Sequence, residues 1–211
     1  MKKMIVTLAA LTALASNAWA LGKGSQLLSV GLGQGSSDLA TLSGDYLQPR
    51  QSPETNVGGE YWYLFSDDYA VAVAGAYGFY TQTQEPSTAA APGTPDIESE
   101  TTSFKLRVGG DRVGKVGERL IVFLGPGLEY WSGSGEVDNG TPPVTESATT
   151  TRYGISGRIG GIMMLNPGLG IMGQVGHTFG IASADDQGAK ITWWPSSFEA
   201  SWGLTFAFGG N

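Results

Sequence analysis

The chain carries one histidine and no cysteine. The second count excludes thiolate catalysis, Cys-based metal sites and CxxC redox chemistry. His177 sits in Gly176-His177-Thr178-Phe179. An activated nucleophile has to come within hydrogen-bond reach of the histidine, and the next position along a strand on the same face is two residues on. That position is Phe179, and Ser183 would have to reach back from a loop. No catalytic residue is therefore expected. Asp67-Asp68 and Asp185-Asp186 are adjacent acids of the kind that shape turns or face solvent. A dedicated calcium site asks for about six to eight oxygens, and no EF-hand-like spacing is present. The glycines make no GxxxxGK[ST] loop and open no helix. Basic patches are missing as well, so no cofactor, no metal and no nucleic-acid partner are expected.

The remaining chemistry is a set of seven charges: Glu60, Lys105, Arg107, Glu129, Arg152, Arg158 and Glu199. Each stands where the neighbours two residues away are mostly Gly, Ala, Ser or Thr. Charges spaced this way share one face of extended strands, because strand side chains alternate.

Eight segments show that alternation: 26–35, 55–64, 69–82, 102–112, 119–131, 151–164, 169–181 and 193–208. The third is the clearest. Tyr69, Val71, Val73, Gly75, Tyr77 and Phe79 face one way; Ala70, Ala72, Ala74, Ala76 and Gly78 face the other. The fifth is mixed, since Ile121 and Phe123 fall on the small-residue face. Three connections are short (65–68, 113–118 and 166–168) and four are long (36–54, 83–101, 132–150 and 182–192). Strict alternation of short and long links predicts an all-β fold, an eight-stranded antiparallel up-and-down transmembrane barrel. Its tight turns would face the periplasm and its long loops the exterior.

The same pattern decides which face is inside. Only 15% of residues are charged, against about 25% in an ordinary soluble domain. Seven charges over eight strands are too few to coat a water-facing barrel. They suit a lumen, where small neighbours leave room for long side chains to pair. Aromatics sort accordingly. Tyr61, Tyr63, Tyr69, Phe206 and Phe208 fall toward the periplasmic rim. Tyr77, Phe79, Tyr130, Tyr153, Phe179, Trp193, Trp194 and Phe198 fall toward the outer rim. Two interfacial girdles are expected of a membrane barrel.

Residues 1–20 read as a secretory signal peptide: Lys2-Lys3, an apolar run, then Ala18-Trp19-Ala20. The barrel domain is then 21–211. The four long loops hold twelve acids, Glu54 among them, against Arg50 and Lys190. Such loops are either simply solvated or favour basic or cation-bridged partners.

Tyr61-Trp62-Tyr63-Leu64-Phe65, the following Asp67-Asp68-Tyr69 turn and the last strand Leu204-Thr205-Phe206-Ala207-Phe208 resemble the OmpX/OmpA-type small outer-membrane β-barrels, and the pattern extends over the mature chain. The resemblance implies an integral protein of a Gram-negative outer membrane, in contact with outer-membrane lipid and lipopolysaccharide. It also implies insertion by an assembly machinery that reads a terminal aromatic. Phe208 fits that part, with Gly209-Gly210-Asn211 after it. A structural or surface-interaction role follows, with no extracellular partner named. The alternatives are a narrow porin-like channel and, on His177, a lipid A-modifying enzyme.

Overall fold

A computed structural model describes residues 21–43, 46–84, 97–138, 145–186 and 189–209. Its side chains are described over 21–35, 54–81, 100–134, 149–184 and 191–209. The signal-peptide reading of 1–20 lies outside these residues. So do Gly210 and Asn211.

The strands are β1 (Gln26–Ser43), β2 (Tyr46–Leu64), β3 (Tyr69–Gln84), β4 (Ile97–Val116), β5 (Leu120–Asp138), β6 (Thr145–Asn166), β7 (Leu169–Asp186), β8 (Ala189–Trp193) and β9 (Ser196–Phe208). Every pairing is antiparallel, and each strand from β1 to β7 pairs with the next. β9 lies between β7 and β1, so the sheet closes into an eight-stranded barrel. Closure leaves no spanning strand with an unpaired edge, which hydrocarbon would penalise.

Two sequence readings need correction. Residues 36–43, 46–54, 83–84, 97–101, 132–138, 145–150, 182–186 and 189–192 were expected in long loops but are paired strand. Beyond the bilayer neither face of a hairpin meets lipid. The backbone ladder can continue there while the apolar alternation that marks a strand disappears. Pro49 and Pro53 fit this picture. Their part of β2 pairs with β1 alone, because β3 joins β2 only from Thr55 onward, and proline is tolerated on such an edge. The eighth strand was expected to run unbroken from Trp193 to Phe208. It is instead interrupted at Trp194-Pro195 into β8 and β9, both paired with β7. Pro195 has no amide hydrogen to give to the ladder.

The three short connections are turns built from side chains and glycine. Asp68 N donates to Ser66 Oγ at 3.4 Å, and Gly168 N donates to Asn166 Oδ1 at 2.9 Å. Asp67 Oδ1 accepts from Lys23 N at 2.9 Å, which fastens the N-terminal segment to the β2–β3 turn. Gly117 completes the β4–β5 turn at φ 68, a left-handed conformation that favours glycine.

The closing seam depends on another glycine pair. Gly31 of β1 stands opposite Gly203 of β9. A Cβ on Gly31 would lie 2.3 Å from Trp202 O, and one on Gly203 would lie 2.2 Å from Val30 O. Both clashes are with backbone, so no rotamer relieves them. Gly31→Val is expected to destabilise the closed barrel by about 1–3 kcal/mol or more. The measurement is the fast-migrating band of unboiled protein on a detergent gel. The band should weaken or vanish in the variant, and an unchanged band would refute the close approach at the seam.

Candidate functional site in the barrel lumen

Alternation sends one face of every strand to lipid and the other to the lumen. Val30, Val57, Val71, Val73, Leu106, Leu128, Ile155, Ile159 and Trp202 are exposed on the outer surface. The inner face differs along the barrel axis. Nearest the short turns it is apolar: Leu21, Leu27, Leu64, Val113, Ile121, Ile162 and Met164 are all buried. Trp62 and Phe123 cap this layer edge to face, with ring centroids 4.5 Å apart.

A charged layer rests on the cap. Arg158 donates to Asp111 twice, Nε to Oδ1 at 3.1 Å and Nη2 to Oδ2 at 2.5 Å. It also pairs with Glu60 and donates from Nη1 to Gln174 Oε1 at 3.1 Å. Its guanidinium carbon sits 4.8 Å over the Trp62 ring and 5.3 Å over Phe123. Arg107 donates from Nε to Ser156 Oγ at 3.1 Å, and its Nη2 lies 3.8 Å from Asp111 Oδ1. Burying such ions is costly, and only close pairing with further hydrogen bonds offsets the cost.

A second charged layer lies farther from the short turns. Arg152 bonds Glu129 at 2.6 Å and Ser197 Oγ at 2.8 Å, while Thr178 donates to Glu129 at 3.0 Å. Lys105 pairs with Glu199, and Ser103 donates to Glu54. Two cavities lie between the layers, of about 80 and 70 Å³. Arg107, Glu129 and Thr178 line the first; Asn56, Glu60 and Met172 line the second; Gln174, Glu199 and Ser201 border both.

The seven sequence-selected charges thus fall into two layers. Three of them, Glu60, Arg107 and Arg158, lie in the lower. Glu129, Arg152, Lys105 and Glu199 lie in the upper. Two lumen acids were not among the seven. Asp111 is 1% exposed and serves both lower arginines. It stands four residues after Arg107, and continuing the alternation of β4 through Gly109 would have reached it. Glu54 was placed among the outer-loop acids and is instead buried inside the barrel beside Ser103. The register explains the correction, because Glu54 has the parity of Asn56 and Glu60 on β2. Among the other loop acids only Glu100 has a described side chain, and it is exposed.

Of the girdle residues, Tyr61, Tyr63, Tyr69, Tyr77, Phe79, Tyr153, Phe179, Trp194 and Phe198 are exposed. Tyr130 and Phe208 are half-buried, whereas Trp193 stands opposite buried Ala182 on the lumen side with its Nε1 buried and so falls outside the outer girdle. Phe206 lies at the periplasmic end opposite Leu28 and Leu169 but is buried, unlike its outward neighbours. His177 shares the outward parity of Val175 and Phe179, and its ring stands 4.3 Å from Phe179. Its Nδ1 has no hydrogen-bond partner. Among the described residues no group of three His, Asp or Glu side chains could hold a metal. No described helix is long and apolar enough to cross a membrane, which says nothing of strands.

Comparison with known proteins agrees with this architecture. The chain matches no curated relative. Among solved structures it is similar to the outer membrane protein OprG from Pseudomonas aeruginosa, at 13% identity and a TM-score of 0.61. That match covers 92% of this chain and 100% of OprG. It is similar to Ail, the attachment invasion locus protein of Yersinia pestis, in complex with the heparin analogue sucrose octasulfate. The identity is 16% and the TM-score 0.53, over 88% of this chain and 99% of Ail. It is also similar to Neisserial surface protein A, at 14% identity and a TM-score of 0.51, over 89% and 99% of the two chains. At these identities the likeness concerns the fold. The family model for the outer membrane protein beta-barrel domain matches residues 6–206, and the chain belongs to that family as an integral protein of the bacterial outer membrane.

Proposed function

We propose that this barrel acts through its outer surface and does not conduct solutes. The observation that carries the reading is the filled base of the lumen. Trp62 and Phe123 are 0% and 1% exposed, with a continuous apolar cluster beneath them and the Arg158 ion network above. A solute path would have to displace both layers. The cavities between the charged layers then form an inner chamber with no route past the apolar base.

Planar-bilayer recording from refolded protein tests this. No stable conductance steps are expected. Reproducible unitary steps from protein that shows the gel shift of a folded barrel would reject a sealed base and favour the narrow channel.

The surface role rests on the exterior segments. Their charge is acidic even without Glu54, with eleven acids against Arg50 and Lys190, which favours basic or cation-bridged partners over polyanions. This differs from Ail, whose structure was obtained with a sulfated heparin analogue. A lipid A-modifying activity lacks support at His177. Its same-strand neighbours on the outward face are Val175 and Phe179, and its buried Nδ1 has no hydrogen-bond partner. Lipid A from cells overproducing the protein is expected to be chemically unchanged.

A further inference from the structure

The outer face of β4 carries an arginine where the other outward residues of the wall are mostly apolar or aromatic. Arg112 has the outward parity of Phe104, Leu106 and Val108, and it is exposed. It stands opposite Tyr69 of β3 and Leu124 of β5. Tyr69 starts β3 directly after a short turn, so Arg112 lies at the periplasmic interface of the bilayer. Among the described residues it has no carboxylate partner, in contrast to the arginines of the lumen.

The surface around it is shaped. On its own strand the outward residues to either side are Gly110 and Gly114. A Cβ at Gly110 would meet only Ala70 O, at 4.0 Å. The β4 face is therefore a slot. Val71 stands opposite Gly110 and Val122 opposite Gly114, with Tyr69 and Leu124 flanking the arginine. Lys115 and Arg119 are exposed on the hairpin just below, but Lys115 has the inward parity of Asp111 and Val113 and stands opposite buried Ile121, so Arg112 is the cation of the outward face. The β2–β3 turn carries Asp67 and Asp68, and the β6–β7 turn carries no charge.

We propose that this slot binds one anionic phosphoglycerolipid of the periplasmic leaflet. The phosphate would meet the guanidinium of Arg112 beside the Tyr69 hydroxyl. One acyl chain would run over Gly110 toward the bilayer centre, between Val71 and the apolar side chains of β5. Guanidinium suits this task because its planar fork matches two phosphate oxygens. The occupant is a lipid because Arg112 lies on the bilayer-facing wall, and it is anionic because that guanidinium is exposed there with no carboxylate partner among the described residues.

Native mass spectrometry of folded protein tests the site, in neutral detergent with equal amounts of dioleoyl-phosphatidylglycerol and dioleoyl-phosphatidylcholine. The expected result is selective retention of one phosphatidylglycerol per barrel. Arg112→Gln should reduce that retention about fivefold. Gly110→Leu should reduce it as well, since it fills the slot and leaves every charge in place. Both variants change only outward side chains, and the heat-dependent gel shift confirms that each is folded. Equal retention of the two lipids by the unaltered protein overturns the proposal, as does undiminished selectivity in either variant.

Discussion

Replacing Arg158 by methionine is expected to lower the unfolding free energy of the barrel by about 3–5 kcal/mol, the usual cost of stranding buried charge. Arg158 is the common partner of Asp111, Glu60 and Gln174, and it also lies over Trp62. Removing it leaves two carboxylates facing each other above an apolar layer. Arg107 can compensate little, because its nearest approach to Asp111 is 3.8 Å and its Nε is engaged with Ser156. Urea titration in lipid vesicles, followed by tryptophan fluorescence, measures the loss. Adding Asp111→Asn and Glu60→Gln to Arg158→Met should recover a large part of it, since the stranded charges are then gone. A loss below about 1 kcal/mol for Arg158→Met would mean that the arginine is a dispensable ornament of a solvated lumen.

The second large effect is expected at the aromatic cap. Trp62→Ala removes a fully buried indole from its contact with Phe123 and from beneath Arg158. Truncations of this size in packed interiors cost about 3–5 kcal/mol. The same titration reads it, because the other tryptophans of the barrel still report unfolding. The double variant Trp62→Ala, Phe123→Ala adds a functional readout. If these rings seal the base, the double variant should admit ionic current where the unaltered barrel admits none. A closed double variant would shift the seal to the aliphatic layer below, formed by residues such as Leu64, Ile121 and Ile162. A Trp62→Ala barrel as stable as the original would show that the base is loosely filled.

The sequence made the membrane-spanning part of this molecule legible because lipid enforces its pattern. Within the bilayer a strand must show apolar residues outward at every second position, and Tyr69 to Phe79 do so without exception apart from Gly75. The same rule located the seven lumen charges. It lost force where its cause ended. Above the bilayer β1 and β2 continue as a paired ribbon through Leu39, Pro49 and Pro53, yet their sequence carries no apolar period of two, so it resembled loop. Glu54 was misplaced for this reason, although its parity with Asn56 and Glu60 was intact. Asp111 was overlooked for a different one. An acid near a strand end is normally solvated, and only the three-dimensional meeting of β2, β4 and β6 brings Glu60, Asp111 and Arg158 together. Which cation pairs with which acid depends on barrel stagger, and alternation along a single strand contains no information about stagger. The break at Trp194-Pro195 was visible as a proline, but its consequence required knowing that β7 supports both halves.

The seam where Gly31 meets Gly203 also bears on how the molecule is made. From β1 through β7 each strand pairs with the one that follows it, so those ladders can form by local zipping. The seam joins Gln26 to Phe208 and Gly35 to Glu199, across nearly the whole chain. Contacts of such high sequence separation carry the largest loop-closure entropy and slow the search for the native topology. The circle should therefore be completed last, after a curved open sheet has formed with β1 and β9 as its free margins. In that interval the two margins expose unpaired amides within hydrocarbon, the most aggregation-prone moment of the pathway. The glycine pair lets the margins meet without side chains in the way, so the residues that shape the finished wall also shorten the life of its most vulnerable precursor.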